Sequence, residues 1–437
     1  MSNEYQTWKP LELTFEARGS YARPYLDIEL WIDLRGPNGE AMRVPGFWDG
    51  GDCWKVRFAP PCPGAWDWFS SCNHSTDGGL HGLSGHFAVQ DYEGENEIYR
   101  HGFLRVSDDA RHLCRRDGVP FLWLGDTCWA AMLKASEQDW WNYVLDRRDK
   151  HFSVLQTVLF FHSGWHEEGN GPVYSDGDAY QVPNVAFFRS MDEKLATANE
   201  AGLTVALVLL WHTATPWTWM PTSERTHEGR KLSVAQAVRL AHYAVARYAA
   251  YDVVWLMTGD GVGYVADKHY PWLLPQAIPY TNAMGWAVVA RDPYHHPAGT
   301  HPRGANGTGG YFYDQDWLDF DMYQVGPNPE GSPRQAMNYR LAQQERLWDH
   351  ARPAIAGEPS YETFDDSVLS DFGVRRSAYW SLLSGACGHT YGAYQIFKWW
   401  RGELAPGDRP AWALQDDPNV TWREALQLPG SRQMGLL

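Results

Sequence analysis

The sequence predicts an α/β protein, a (β/α)8 TIM barrel preceded by a small antiparallel β-sandwich. Three observations carry this. The first hundred or so residues alternate apolar and polar side chains in short runs divided by Gly/Pro/Asn/Asp turns, the pattern of antiparallel strands. From about residue 98 the rhythm becomes short apolar run, loop, helical segment, which is the pattern of parallel strands with crossover helices. Nearly every one of these later runs stops at an acid, a histidine or an aromatic residue. Strand C-termini are where such barrels keep their functional groups.

The sandwich is expected over residues 1–97, from the runs Leu11–Ala17, Tyr25–Leu34, Trp54–Pro60, Gly64–Cys72 and Gly85–Gln90. RGPNGE and WDGGD supply turns, and no helix is expected here. The barrel is expected over 98–437. Its strands are predicted at Pro120–Asp126, Ser153–Phe161, Leu203–Trp211, Asp252–Gly259, His295–His301, Leu318–Gln324, Arg352–Glu358 and Ala386–Gly392. Helices are expected at Ser136–Lys150, with Ser136 as N-cap, at Phe187–Gly202, closed by the glycine, at Ser233–Ala250 and at Gln335–His350. Trp412–Leu437 reads as a tail packed on the barrel. The join EGENEIYRHGF is short and lacks a Pro/Ser-rich linker, so the sandwich is expected to pack rigidly.

The chain has 437 residues, 44% hydrophobic, enough for a sizeable core. A net charge of −16 argues against nucleic acid or an anionic membrane as partner. The 24 Trp and 23 Tyr favour a carbohydrate partner, since sugar C–H faces stack on aromatic rings. No run approaches the roughly 18 apolar residues of a membrane helix. MSNEYQTWKP has no secretory character, so a cytoplasmic location with reduced thiols is expected for Cys53, Cys62, Cys72, Cys114, Cys128 and Cys387. No CxxC or HExxH occurs, and the adjacent His295 and His296 would point to opposite faces of a strand, so no metal is expected. No cofactor is expected either, because GxGxxG and GxxxxGK[ST] motifs are missing; GxSxG is missing too.

The predicted strand ends deliver Asp126 and Trp129, His162 and Trp165, Trp211 and His212, and Asp260. Later ends deliver His301, Tyr323 and Gln324, Glu358 with Tyr361 and Glu362, and His389 with Tyr391. Asp260 and Glu358 end the fourth and seventh strands, which face each other across a barrel mouth. Two opposed carboxyls are what a retaining glycosidase needs, one protonating the leaving oxygen and one attacking the anomeric carbon. The remaining residues are expected to bind substrate, with Trp129, Trp165 and Trp211 stacking on sugar. Two other readings compete: a non-catalytic carbohydrate-binding barrel, and a polysaccharide lyase, which would need a base and a neutraliser.

The segments FWDGGDCWKVRFAPPCPGAWDW, GFLRV, FLWLGDTCW, WLMTGD, AGEPSYE and SAYWSLLSGACGHTYGAYQIFKW resemble the apiosidase-like glycoside hydrolases over nearly the whole chain. The resemblance implies a sandwich followed by a catalytic barrel. It also implies an acid/base aspartate in Thr258-Gly259-Asp260 and a nucleophile glutamate in Gly357-Glu358-Pro359. Thr258 stands where the pattern has a second glycine. The substrate of such relatives is a branched pentose on pectin, but loops around the mouth set sugar specificity.

Overall fold

The computed structural model describes residues 5–161, 171–216, 231–262, 271–326, 328–347, 352–363, 369–402 and 420–437. The N-terminal part is built of two sheets. One has five strands in the order Tyr5–Gln6, Ser84–Gln90, Gly64–Cys72, Leu30–Arg35, Ala41–Pro45; the other has three, Leu11–Glu16, Cys53–Phe58, Phe47–Trp48. All pairings are antiparallel except the first two strands of the larger sheet. Alternation decides the faces: Leu30, Ile32 and Leu34 are buried, while Trp31 and Asp33 are half-buried. Inside, Phe58 meets Trp66 edge to face at 5.1 Å. The expected strand Tyr25–Leu34 is divided. Pro24 opens a helical turn, Pro24–Asp27, and strand structure begins only at Leu30.

Glu97–His101 is a short helix in the join, capped by the Asn96 side chain on the Ile98 N–H. A small sheet of Leu104–Val106, Leu113–Arg115 and Pro120–Phe121 follows. The predicted run Pro120–Asp126 therefore changes partners: Phe121 pairs with Leu113, and Trp123–Thr127 opens the large sheet.

That large sheet has nine strands and is mostly parallel. The eight predicted strands appear in it as Trp123–Thr127, Val154–Val158, Thr204–Trp211, Val253–Gly259, Ala298–Gly299, Asp321–Gln324, Ala354–Glu358 and Gly388–Gly392. The first pairs with both the second and the eighth, so the sheet curls back through its own beginning. Strands three and four are buried at every residue, as parallel strands covered on both faces are. The fifth is only two residues long; Pro297, just before it, has no N–H to donate. Asn306–Gly307 adds a ninth strand, antiparallel to the sixth. One backbone hydrogen bond, Asp319 N–H to the Ala298 carbonyl at 2.9 Å, links the fifth strand to the run into the sixth.

Helices cover this sheet where the sequence placed them. Ser136 caps Glu137–Asp149, Asn184 caps Val185–Glu200, and Ser233 with Gln236 forms a capping box on Val234–Tyr248. The expected helix Gln335–His350 is Met337–Glu345, entered by a 3-10 turn from Pro333. The last residues form Trp422–Ala425 and Pro429–Met434, and Trp422 stacks on Trp399 at 4.0 Å. All six cysteines are free thiols. Among the described residues no helix is long and apolar enough to cross a membrane.

A buried ionic network joins the N-terminal sheets to the helices behind the large sheet. Arg247 pairs with Asp49 of the sandwich at 3.0 Å and with Asp192 at 2.7 Å. Arg57 of the sandwich donates to the Arg247 carbonyl at 2.6 Å and pairs with Asp192 at 3.1 Å. Arg189 closes on Asp49 at 2.9 Å. Burial works against the Asp49 charge, yet Arg189 and Arg247 hold its carboxyl below the usual range. Removing one partner strands a buried charge. Arg247→Met is expected to destabilise the protein by about 3–5 kcal/mol, read from the midpoint of chemical denaturation.

Candidate active site

The fourth strand ends in an unusual turn. Asp260 takes a left-handed backbone, φ 56°, a conformation that costs a non-glycine residue about 1–3 kcal/mol and persists only where its surroundings enforce it. Trp211 packs on the residue just before Asp260. Its ring lies so close to Gly259 that a Cβ there would come within 2.1 Å of it. The glycine before the aspartate is thus required by packing.

His301 follows the fifth strand and is fully buried. Its N–H donates to the Thr258 carbonyl at 2.9 Å, and the Thr258 and Thr300 hydroxyls lie 3.0 Å apart. These bonds tie the end of strand four to His301. The seventh strand brings in Glu358. Gln156 holds that strand from inside by donating to the Gly357 carbonyl at 2.8 Å. Gln324 pairs in register with Glu358, after an irregularity in the sixth strand.

His301 stands between the two carboxylates. Its Nδ1 is 3.6 Å from Asp260 Oδ1 and its Nε2 is 3.2 Å from Glu358 Oε2. One donor atom from each of the three residues lies within 4.8 Å of the others. Trp129 presses edge-on against the His301 ring at 5.0 Å, and Trp211 lies 6.0 Å from it. The Asp260 side chain keeps 18% of its surface open. Burial, then the charge of Glu358, pushes its carboxyl up to about 7, against the pull of His301 and Arg303. Tyr361 is buried beside Glu358, Trp129 and Thr127, and burial followed by the Glu358 charge holds its phenol well above the usual range. The Asp260, His301 and Glu358 donors are also a compact set that a divalent cation could share.

Not every predicted strand-end residue converges here. Side chains alternate along a strand. Trp123 donates to the Thr390 hydroxyl at 3.0 Å, so Trp123 and Thr390 share one face of the sheet. Asp126, His389 and Tyr391 have the opposite parity. Asp126 is paired with Arg147 at 2.7 Å and accepts from Tyr143 at 2.6 Å, both on the helix Glu137–Asp149. Tyr391 donates to Glu362 at 2.6 Å, and Glu362 also accepts the Gly430 N–H at 2.9 Å. Asp126, Glu362 and Tyr391, expected to bind sugar, therefore bond to protein and tie strands one and eight to the C-terminal helices. His389 is buried, and burial lowers its pKa to about 3. Tyr323 donates to the Asn338 carbonyl of the covering helix at 3.2 Å. Trp129 is 1% exposed and offers no open face for stacking. Trp211 stacks on Phe161 at 5.4 Å beside the pair, and His212 is buried in the turn that follows. His162 and Trp165 lie outside the described residues.

Arg303, Gln156 and the Thr258–Thr300 pair escaped sequence reasoning. No strand-end rule marks Gln156, which lies within strand two, and Arg303 lies two residues past His301.

A model of the apiosidase-like catalytic domain matches residues 107–437, and one of a domain of unknown function (DUF5060) matches residues 4–73. No curated protein matches the chain. Among solved structures, a candidate glycoside hydrolase from Bacteroides vulgatus is similar over 99% of this chain and 77% of its own, at 19% identity and TM-score 0.72. A family 5 glycoside hydrolase from the same organism is similar over 77% of this chain and 70% of its own, at 24% identity and TM-score 0.64. A further glycoside hydrolase is 26% identical over 77% of this chain and 74% of its own, TM-score 0.63.

Trp129→Ala is expected to cost about 3–5 kcal/mol of stability, as for a large buried aromatic, with thermal and chemical denaturation as the readouts. A ring that served only as a stacking platform would leave stability nearly unchanged and weaken saccharide binding alone.

Proposed function

The chain belongs to the apiosidase-like glycoside hydrolases, and we propose that it cleaves glycosidic bonds with retention of configuration. The observation that carries this is the approach of Asp260 and Glu358, with donor oxygens within 4.8 Å. Retaining enzymes hold their two carboxyls roughly 5–5.5 Å apart, and inverting ones leave about 6.5–9.5 Å for a water. The substrate we propose is a plant or microbial polysaccharide or oligosaccharide. We further propose that the eight strands act as one closed barrel, with residues 1–97 as a separate sandwich domain and 98–437 as the catalytic one.

In this reading Asp260, protonated at rest, gives its proton to the leaving glycosidic oxygen. Glu358 attacks the anomeric carbon as that bond breaks, forming a glycosyl ester. Asp260, now ionised, takes a proton from water, and the resulting hydroxide equivalent displaces Glu358 and frees the sugar. Only one of the two carries a negative charge at a time, Glu358 at rest and Asp260 once Glu358 is esterified, which suits two acids this close. Tyr361 and His301 hold Glu358 in place. Gln324, beside Glu358, and His212 are the buried polar groups we assign to sugar binding.

Glu358→Gln is expected to leave the fold intact and lower kcat by several orders of magnitude on a confirmed substrate. Near-normal turnover would remove Glu358 from the mechanism. An NMR record of the first anomer released should show retention; an inverted first product would contradict it. The acid form of Asp260 does the first chemistry, so kcat/KM should fall as pH rises through about 7. In Glu358→Gln the neighbouring negative charge is gone, and 13C NMR should find Asp260 titrating at lower pH than in the wild type.

A further inference from the structure

A second concavity lies far from the carboxylate pair. It is a cleft of about 460 Å³ where the sandwich meets the chain running from the helix Leu274–Val289 into the fifth strand. Residues 289–295 precede that strand, so the cleft belongs to the N-terminal end of the large sheet. Asp260 and Glu358 lie at the C-terminal ends. Both parts of the protein build it: Trp31 and Arg43 come from the larger sandwich sheet, Arg291 and His295 from the other side. The ion pair of Glu29 with Arg291 at 2.7 Å crosses between them.

The chemistry of the lining is specific. Trp31 is a partly open aromatic residue in the wall, and the Arg43 guanidinium lies 5.3 Å from its ring centroid. The indole N–H of Trp31 is buried without a hydrogen-bond acceptor, so the ring meets the cleft through its partly open carbon edge. Arg43 is held by Asp33 through two bonds, at 2.8 and 3.0 Å, and Arg291 by Glu29. Each guanidinium is paired with an acid at the open edge of the cleft and keeps further N–H groups. His295 sits at the rim with a left-handed backbone, φ 50°, of the kind that clusters at ligand sites. An aromatic ring flanked by guanidinium–carboxylate pairs presents donors and acceptors together, with no excess of charge. That suits vicinal hydroxyls, which both donate and accept, better than a phosphate or an apolar group. The volume falls within the range of small-ligand sites.

We propose that this cleft is a second saccharide-binding site, taking a neutral sugar unit of a polysaccharide and holding the polymer while the carboxylate site acts elsewhere on it. The idea rests on the carbohydrate reading of the protein but not on Asp260 or Glu358. Two sites on one polymer raise the effective concentration of the second.

The test is affinity electrophoresis in native gels containing soluble xylan, galactan or mixed-linkage β-glucan. It is run in the Glu358→Gln background so that the gel is not digested. At least one polymer should retard this protein. Adding Trp31→Ala should weaken retardation by roughly tenfold in apparent Kd, and Trp31→Phe, which keeps a smaller ring, should fall between. Trp31→Ala alone should leave kcat/KM on a short soluble oligosaccharide unchanged. Should Trp31→Ala fail to fold, Arg43→Ala, on the exposed rim, reads the same loss. No retardation of the parent by any of the three polymers, or equal retardation with and without Trp31, overturns the proposal. An inactive enzyme that is still retarded through Trp31 would refute the catalytic reading and leave this one standing.

Discussion

The approach of two carboxylates around a buried imidazole is the constraint that organises this molecule. Two acids within 4.8 Å in a half-closed site repel each other when both are charged. The fold must supply the force that keeps them there. It does so by rigid means: Gln156 on the Gly357 carbonyl, the Thr258–Thr300 pair, His301 bonded to strand four, and a tryptophan ring packed on Gly259. The left-handed turn at Asp260 is the local cost of aiming its carboxyl at this point. The raised pKa of Asp260 then follows from the same geometry, since burial and Glu358 both favour its neutral form.

A second, separate polar network has a different task. Asp126, Arg147, Tyr143, Tyr391 and Glu362 lie between the sheet and its helices and reach the C-terminal segment at Gly430 and Ser431. A third joins the sandwich to the back of the large sheet through Asp49, Arg57, Asp192 and Arg247. Buried charges of this kind are worth little net stability against apolar residues, but breaking one partner is costly. They tie the layers to one another, the N-terminal sheets to the helices and the large sheet to its C-terminal helices.

Much of this was legible in the sequence, for physical reasons. The alternation near the N-terminus gave the antiparallel strands of the N-terminal sheets because one face of each is the more buried. The continuous apolar runs Thr204–Trp211 and Val253–Gly259 gave central parallel strands because both their faces are covered. Ser136 gave a helix start because a hydroxyl satisfies an otherwise orphan N–H, and Ser233 caps the next one in the same way. Parity was what strand-end reasoning lacked. Asp126 and Tyr391 end strands as faithfully as Asp260 does, yet they face the helices, because one residue of register moves a side chain to the other side of the sheet. The short fifth strand, with Pro297 before it, and the helical turn at Pro24 show proline overriding a run that otherwise reads as strand.

The most direct test of the account is to trap the intermediate. A 2-deoxy-2-fluoro glycoside carrying the sugar of a confirmed substrate slows the second step and lets a glycosyl ester accumulate. Mass spectrometry of the digested protein should then place one added sugar on the peptide that contains Glu358, and no adduct should form in Glu358→Gln. A sugar attached to any other carboxylate, or turnover of a confirmed substrate with no covalent adduct at all, would contradict the double displacement built on Asp260 and Glu358.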